Sequence, residues 1–331
     1  MGADYTFACA QVRCAEKYLL NRERLGIMVE ARTMEDACKV LQDARYGTEG
    51  QVIQPASYEK TLAQETEKLY QFLGSIVPDP KVLRLFSYPA DYHNIKALLK
   101  AEFLDIDGSQ ALLPGGTIDP AAMAVLVRER NTIPMTTRMK KSLEEAVEVH
   151  ARTRDPQQVD LICDKACYED VREAAQETGN RFAEGYVRLL IDTLNLKTFV
   201  RCQRMGQPWS FFGSVFLPGG NIDEKVFVAG YEEPFQQFAA RLIAYDLLEA
   251  AEEGGAQMKE TGSFTALERL CDNALIQYVR QAKYISFGLE PLIAYMVARQ
   301  MEIKNVRIIL AGKAAGLDPE RIRERVRETY G

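Results

Sequence analysis

The sequence predicts an all-α protein built from three similar helical subdomains. A six-residue pattern (acid, two residues, Asn, an aliphatic residue, a base) occurs three times, with its Asn residues 101 and 110 positions apart. Apolar residues recur at helical spacing over most of the chain, and Asp-Pro pairs, typical of helix starts, occur four times. One supersecondary block used three times is therefore indicated, and repeated blocks build surfaces more often than catalytic sites.

Nine residues define the repeated pattern. The copies are Asp91, Asn94 and Lys96, then Asp192, Asn195 and Lys197, then Glu302, Asn305 and Arg307. Acid and Asn are three positions apart and share one helix face. Because Asn inside a helix costs about 0.7 kcal/mol relative to Ala, we expect each amide to bond a buried group, such as a helix terminus or a glycine loop. The alternative is that the three Asn residues make equivalent contacts with a partner.

A second signature follows the first two copies. Leu112–Asp119 matches Phe216–Asp223 through a shared Leu-Pro-Gly-Gly and a closing Ile-Asp, and Ala315–Pro319 is a shortened version after the third copy. Pro-Gly-Gly marks connections between helices. We therefore place the repeat boundaries there, which gives helical repeats at residues 1–113, 114–217 and 218–331.

Helix starts can be placed from capping residues. The first helix is predicted over Tyr5–Leu19, a second starts at the capping residue Thr33, and Ser57 caps a long helix that ends near Pro78. We expect Pro89 at the start of the helix that carries Asn94. Asp N-caps followed by Pro at the first helical position predict four more starts, at Asp79-Pro80, Asp119-Pro120, Asp155-Pro156 and Asp318-Pro319.

The second repeat has a helix from Arg181 to Gln203, followed by a predicted loop at Gly206–Asn221 that is rich in Gly and Pro. Within that loop Phe211–Leu217 is a plausible extended piece, as is Val52-Ile53 earlier in the chain. Trp209 is interpreted as a loop residue that covers its own core, with a partner contact as the alternative. A last short helix is predicted over Pro319–Tyr330.

Composition is that of an ordinary globular chain. Of 331 residues, 47% are apolar and 27% charged, and the net charge of −6 disfavours nucleic-acid binding. No run of 18 apolar residues and no signal peptide is evident, so we expect a cytoplasmic protein without direct membrane insertion. The seven cysteines form no CxxC pair and are interpreted as small buried hydrophobes.

Catalytic and metal-binding patterns are missing from the sequence. No phosphate loop, dinucleotide fingerprint, HExxH or GxSxG occurs. The two histidines, His93 and His150, are far apart, and His93 is interpreted as a partly buried or capping side chain. We expect no enzyme activity, no catalytic residue, no metal and no cofactor.

Four stretches resemble the C subunits of V/A-type rotary ATPases, whose eukaryotic counterparts are the d subunits. They are Phe287–Tyr295, Glu302–Lys313, Asp91–Leu99 and the early Tyr46-Gly47. The resemblance covers nearly the whole chain, whereas Pro89 and the cysteine content depart from it. It implies three helical subdomains around a pseudo-threefold axis, forming a funnel.

That family is a non-catalytic rotor part of the central stalk. It couples the central-shaft subunits to the membrane ring of proteolipid subunits, for H⁺ or Na⁺ transport or ATP synthesis. The resemblance thus implies peripheral association with the cytoplasmic face of the membrane. Two alternatives from other classes are a generic helical-repeat scaffold and an enzyme with an unrecognised carboxylate site.

Overall fold

The protein is helical throughout the part that its computed structural model describes, residues 4–47 and 53–331, and no strand occurs there. This confirms the all-α prediction. The α-helices are, in chain order, α1 Thr6–Glu16, α2 Arg22–Glu30, α3 Met34–Asp43, α4 Tyr58–Ile76, α5 Arg84–Leu104, α6 Pro120–Glu129, α7 Thr137–Thr153, α8 Pro156–Glu177, α9 Arg181–Arg204, α10 Trp209–Val215, α11 Glu224–Ala229, α12 Phe235–Arg241, α13 Leu248–Thr261, α14 Thr265–Arg280, α15 Glu290–Ala314 and α16 Pro319–Arg323.

Contacts between residues divide the chain into two compact units. Unit 1 comprises Met1–Pro78, Asp192–Phe216 and Gly220–Gly331, and unit 2 comprises Asp79–Ile191 with Leu217–Gly219. Helix α9 is therefore shared, since its first residues belong to unit 2 and the rest to unit 1. The division into three repeats and their arrangement as a funnel stay predictions.

Unit 2 has its own apolar core. In it α5 packs on α8 and α6, and α7 packs on α8. Fully buried side chains from these helices include Leu99, Met123, Leu143, Val159 and Val171. The helix that carries Asn94 therefore lies at the centre of its unit.

Unit 1 is organised around α15. This helix has 25 residues and is buried over most of its circumference, because α1, α4 and α14 all pack on it. A second core in unit 1 is aromatic. Phe199 of α9 lies within 6 Å of the rings of Phe212, Phe227 and Phe238, in stacked and edge-on arrangements.

The local signals for helix starts are confirmed. All four Asp-Pro pairs open a helix or a 3₁₀ turn, and Asp79, Asp119 and Asp155 each accept a hydrogen bond from a free amide of the first turn. Thr33 caps α3 by accepting from Asp36 N–H at 3.1 Å. Ser57 precedes α4 as expected, although its side chain makes no capping bond.

Two predicted segments are wrong. The expected loop after Arg204 contains helix α10, so Phe211–Leu217 is not an extended piece, and the side chain of Trp209, at the start of that helix, is 52% exposed rather than covering a core. The last helix ends at Arg323 instead of Tyr330. The burial of Phe212 stabilises α10 in spite of the local loop signals. The hydrogen bond of Asn305 to the backbone of Arg327 keeps the residues after Arg323 out of a helix.

Smaller corrections concern helix ends. Helix α1 ends at Glu16 rather than Leu19, and α5 begins at Arg84, so that Pro89 lies inside the helix and removes one helical hydrogen bond. His93 is half-buried, with Nε2 2.9 Å from the carbonyl oxygen of Ala111. Val52 lies outside the described residues.

Candidate functional site: the repeated clamp

The first copy of the repeat fastens a loop onto the middle of α5. The Asp91 carboxylate accepts from the amides of Thr117 and Ile118, at 2.9 and 3.1 Å, and from the Thr117 hydroxyl at 2.6 Å. These donors belong to the Pro-Gly-Gly signature. The acid and the Asn of a repeat both bond a later segment of the chain. We call this set of hydrogen bonds the clamp.

The second copy repeats the acid half of the clamp. Asp192 accepts from the amides of Asn221 and Ile222, at 2.9 and 3.0 Å, and from the Asn221 side chain at 2.9 Å. Asn221 and Ile222 occupy the same places in their signature as Thr117 and Ile118 in the first one. The carboxylate is thus bound by equivalent donors in both copies.

Glycine is required where the clamp closes. A Cβ on Gly116 would lie 2.3 Å from Asp91 Oδ1, so either the loop or the carboxylate would have to shift. The first glycine of each Pro-Gly-Gly, Gly115 or Gly219, has a φ of 90° or 102°, a region that favours glycine. The signature therefore carries both the donors for the acid and the backbone freedom to present them.

The Asn half of the clamp bonds both backbone groups of one residue. Asn94 accepts from Leu113 N–H at 2.7 Å and donates to Leu113 C=O at 2.9 Å. Asn305 accepts from Arg327 N–H at 2.8 Å and donates to Arg327 C=O at 3.1 Å. Asn195 is buried as well. In the first and third copies the Asn side chain thus bonds both backbone groups of a residue that lies outside the helices.

The third copy differs in its acid. Glu302 does not bond the shortened signature; it accepts from the Tyr46 hydroxyl at 2.7 Å and from the amide of Leu20. It also forms an ion pair with Arg299, which in turn lies 2.6 Å from a carboxylate oxygen of Glu65. The longer acid therefore fastens residues near the N-terminus instead of a following loop.

All three Asn helices end in the same kind of C-cap. Eleven positions after the Asn stands a residue of positive φ: Asp105 at 54°, Gly206 at 63° and Gly316 at 67°. In each case this residue's amide bonds the carbonyl three residues earlier, and the next amide bonds the carbonyl five residues earlier. This is the Schellman C-cap. The repeat seen in the sequence is thus also a repeat of local structure.

Two of the three basic residues form ion pairs, each with different acids, and the third acts on a buried carboxylate through its charge. Lys96 lies 2.6 Å from Asp164 of α8, and Arg307 lies 3.0 Å from Glu59 of α4. Lys197, with Lys304, holds down the pKa of buried Asp272. The bases therefore fix neighbouring helices of the same unit rather than one common group.

Burial sets the electrostatics of the two clamp aspartates. It raises the pKa of Asp91 and of Asp192 above the ordinary value, and the hydrogen bonds that each receives offset only part of that rise. Each carboxylate already accepts three hydrogen bonds, which leaves little capacity to bind a substrate. Among the described residues no group of three or more His, Cys, Asp or Glu side chains is arranged to hold a metal ion.

Exposed apolar residues lie at the ends of the Asn helices, a feature that sequence reasoning did not find. Leu104 and Met205 both stand one position before the positive-φ residue, and both are 69% exposed. Ile106 and Trp209 follow closely, at 62% and 52% exposure. The sequence shows that Leu104 and Met205 occupy equivalent positions in two repeats, but it does not show that both are exposed.

None of the helices in the described part of the chain has the length and apolar character needed to cross a membrane. Six of the seven cysteines are buried and all are unpaired.

Comparison with known proteins gives matches along nearly the whole chain. A family model for the ATP synthase (C/AC39) subunit matches residues 8–325. The C subunit of the V-type sodium ATPase of Enterococcus hirae is 24% identical, over 96% of this chain and 97% of its own. The C subunit of the A-type ATP synthase of Methanocaldococcus jannaschii is 26% identical, over 97% and 86%.

A third relative is the C subunit of the V-type ATP synthase of Thermus thermophilus, 24% identical over 98% of this chain and 99% of its own. The family match includes all nine residues of the repeated pattern. The chain belongs to the ATP synthase (C/AC39) subunit family.

Proposed function

We propose that this chain is a non-catalytic central-stalk rotor subunit of a V/A-type rotary ATPase. It couples the central-shaft subunits to the membrane ring of proteolipid subunits, from a peripheral position on the cytoplasmic face. The observation that carries the proposal is the family match over residues 8–325, which includes all three copies of the repeated pattern.

The clamp supports a mechanical role. Its bonds run from the middle of a long buried helix to the segment that follows, so a force on the loop is transmitted to the helix through several hydrogen bonds. Buried polar bonds of this kind define one arrangement of the chain, because breaking them leaves unpaired groups. We propose that the nine pattern residues are structural pins of this coupling and do not touch a partner.

The exposed helix ends supply candidate contacts. Met205 and Trp209 surround the C-terminal end of α9, and large exposed apolar side chains of this type are enriched at protein interfaces. Replacing both by Ser should weaken assembly without lowering the melting temperature. Ile133, 90% exposed in unit 2 and outside the repeated helix ends, offers a matched control in Ile133→Ser.

Co-purification from native membranes tests the proposal. A tagged chain should bring down the proteolipid, shaft and head subunits of an ATPase in stoichiometric amounts, identified by mass spectrometry. High salt should release the chain from membranes without detergent. Recovery of a different set of proteins would instead support a generic scaffold, and a need for detergent would contradict the peripheral position.

The isolated chain should also lack ATP hydrolysis. Because ATP has no phosphate loop to bind, it should leave the melting temperature unchanged. A saturable hydrolase activity that Asp91→Asn or Asp192→Asn abolishes without unfolding would establish the enzyme alternative and overturn the non-catalytic role.

A further inference from the structure

Unit 1 contains an open groove that the clamp does not use. It has a volume of about 820 Å³ and lies between α2, α14 and the segment around and after α16. Arginine is its most frequent lining residue. The five arginines are Arg22, Arg269, Arg280, Arg323 and Arg327.

One wall already binds an extended segment of the chain itself, including the acid of Glu328. Residues 326–331, here called the strap, follow α16 without helix and lie against α14. Asn273 Oδ1 accepts from Glu328 N–H at 2.8 Å, and the carboxylate of Glu328 accepts from Arg280 at 2.6 Å and from Gln277 at 3.3 Å. This face of α14 thus recognises both the backbone and the acid of an extended chain.

The same face continues beyond the strap. Arg269 lies one helical turn before Asn273 and lines the groove. Its Nη2 pairs with Glu253 at 2.8 Å, whereas its Nε is buried without an acceptor. Arg22 of α2 is exposed and forms no ion pair with any described residue. Arg22 therefore has donors available for an acid that the chain does not supply, whereas Arg269 can donate from Nε to a ligand only after its side chain turns toward the groove.

The acids of the groove are mostly occupied. Glu328 pairs with Arg280 and Glu320 with Arg323, while Arg327 is neutralised by Asp272 outside the groove. Glu324 forms no ion pair among the described residues and is the one lining side chain that should oppose an acidic ligand.

The length of the groove fits a short extended peptide. From Arg269 to Arg280, α14 rises about 16 Å at 1.5 Å per residue. An extended chain covers that distance with about five residues.

We propose that this groove binds an extended acidic segment of about five residues from a partner protein, alongside the strap and with its carboxylates on Arg269 and Arg22. The proposal does not depend on the rotor role. Binding should fall with salt, because the pairs are partly exposed.

Fluorescence polarisation on the full chain tests it. The probe is a labelled peptide of alternating Glu and Val, five residues long, and the matched probe has Gln for Glu. The acidic peptide should bind saturably and the Gln peptide should not. Arg269→Gln should weaken binding about tenfold, as for loss of one charge-assisted bond. Arg22→Glu should weaken it further, because the reversed charge repels the peptide, and Glu324→Gln should tighten binding.

A blocking variant separates binding from folding. A Cβ on Gly26 of α2 would meet no atom within 4 Å, so Gly26→Trp should place its ring in the groove without disturbing the core and should abolish binding. The control is Arg321→Glu, which reverses an exposed charge on α16 outside the lining and should change nothing. Melting temperatures check that every variant is folded.

Three results would overturn the proposal: no saturable binding of the acidic peptide, equal binding by Gly26→Trp or Arg22→Glu, or complete competition by inorganic phosphate at similar concentration, which would show a simple anion site. The rotor role is tested by co-purification from membranes, so each proposal can fail while the other stands.

Discussion

Asn94 and Asn305 bind their partners in the same way, although they lie in different units: each side-chain amide bonds the N–H and the C=O of a single residue, Leu113 or Arg327. Their helices then end in the same kind of C-cap. In both copies the Asn side chain therefore bonds the backbone of a non-helical residue that follows the helix in the chain and packs back against it.

Replacing Asn94 or Asn305 by Leu should destabilise the protein by roughly 1–3 kcal/mol, because two buried backbone groups lose their partner. Urea denaturation followed by circular dichroism measures the change. Asn131→Leu is the control, since Asn131 is exposed and its side chain accepts only from the nearby Ile133 amide. Unchanged stability combined with lost partner binding would make the Asn residues contact surface instead.

Gly116→Ala should also destabilise, by about 1–3 kcal/mol, since the new methyl would collide with Asp91 Oδ1 at 2.3 Å. Gly74→Ala is a matched control. Gly74 lies inside α4 and its Cβ would meet nothing within 4 Å, so this change should stabilise by up to about 1 kcal/mol. Equal melting temperatures for the two variants would mean that the loop at Gly116 moves away without loss.

Features decided by neighbouring residues were predictable from the sequence. The Asp caps before Pro80, Pro120 and Pro156 work within one helical turn, so they form wherever the helix forms. The repeat of acid and Asn was equally readable. The residues that the acid bonds could not be predicted, because Glu302 binds Leu20 and Tyr46, more than 250 positions away.

The wrong predictions arose where tertiary contacts outweigh local preference. Gly and Pro around Trp209 predict a loop, yet α10 forms there because Phe212 is buried between Phe199 and Phe227. The alternating Arg, Ile and Glu after Pro319 favour a longer helix. Residues beyond Arg323 leave it because Asn305 and Asn273 take up the backbone of Arg327 and Glu328.

Asp272 should make unit 1 sensitive to acid. Burial alone would raise its pKa, but Lys304, Lys197 and Arg327 more than offset this, so that the pKa lies below the ordinary 3.8. A carboxyl with a lowered pKa adds stability above its unfolded pKa and loses it as the pH falls through the folded value. The contribution of Asp272 to the urea midpoint should therefore fall as the pH is lowered below about 4, whereas the raised pKa values of Asp91 and Asp192 act in the opposite sense. Asp272→Asn should be less stable at neutral pH and should show a smaller drop; a parallel pH profile would contradict this account.

The buried ion pairs of Arg299 with Glu65 and Glu302 should be costly to break when only Arg299 is replaced. Arg299 lies 4.3 Å from the centre of the Tyr46 ring, and both of its carboxylate partners are at most 4% exposed. Arg299→Met removes the one guanidinium that both acids share. Glu65 keeps its ion pair with Lys68 at 2.8 Å, but buried Glu302 is left with no cation among the described residues. Breaking a buried pair in this way costs about 3–5 kcal/mol.

Neutralising the acids as well should recover much of the loss. Glu65→Gln and Glu302→Gln keep hydrogen-bond acceptors for the amide of Gly47 and the hydroxyl of Tyr46 but carry no charge to desolvate. The ion pair of Glu65 with Lys68 is also lost, at small cost because the Lys68 side chain is 47% exposed to water. The triple variant should therefore be more stable than Arg299→Met alone, as measured by urea denaturation at neutral pH. If the triple variant is less stable than the single one, the bonds to Gly47 and Tyr46 need ionised acids and the charge of Arg299 is a minor part of the network.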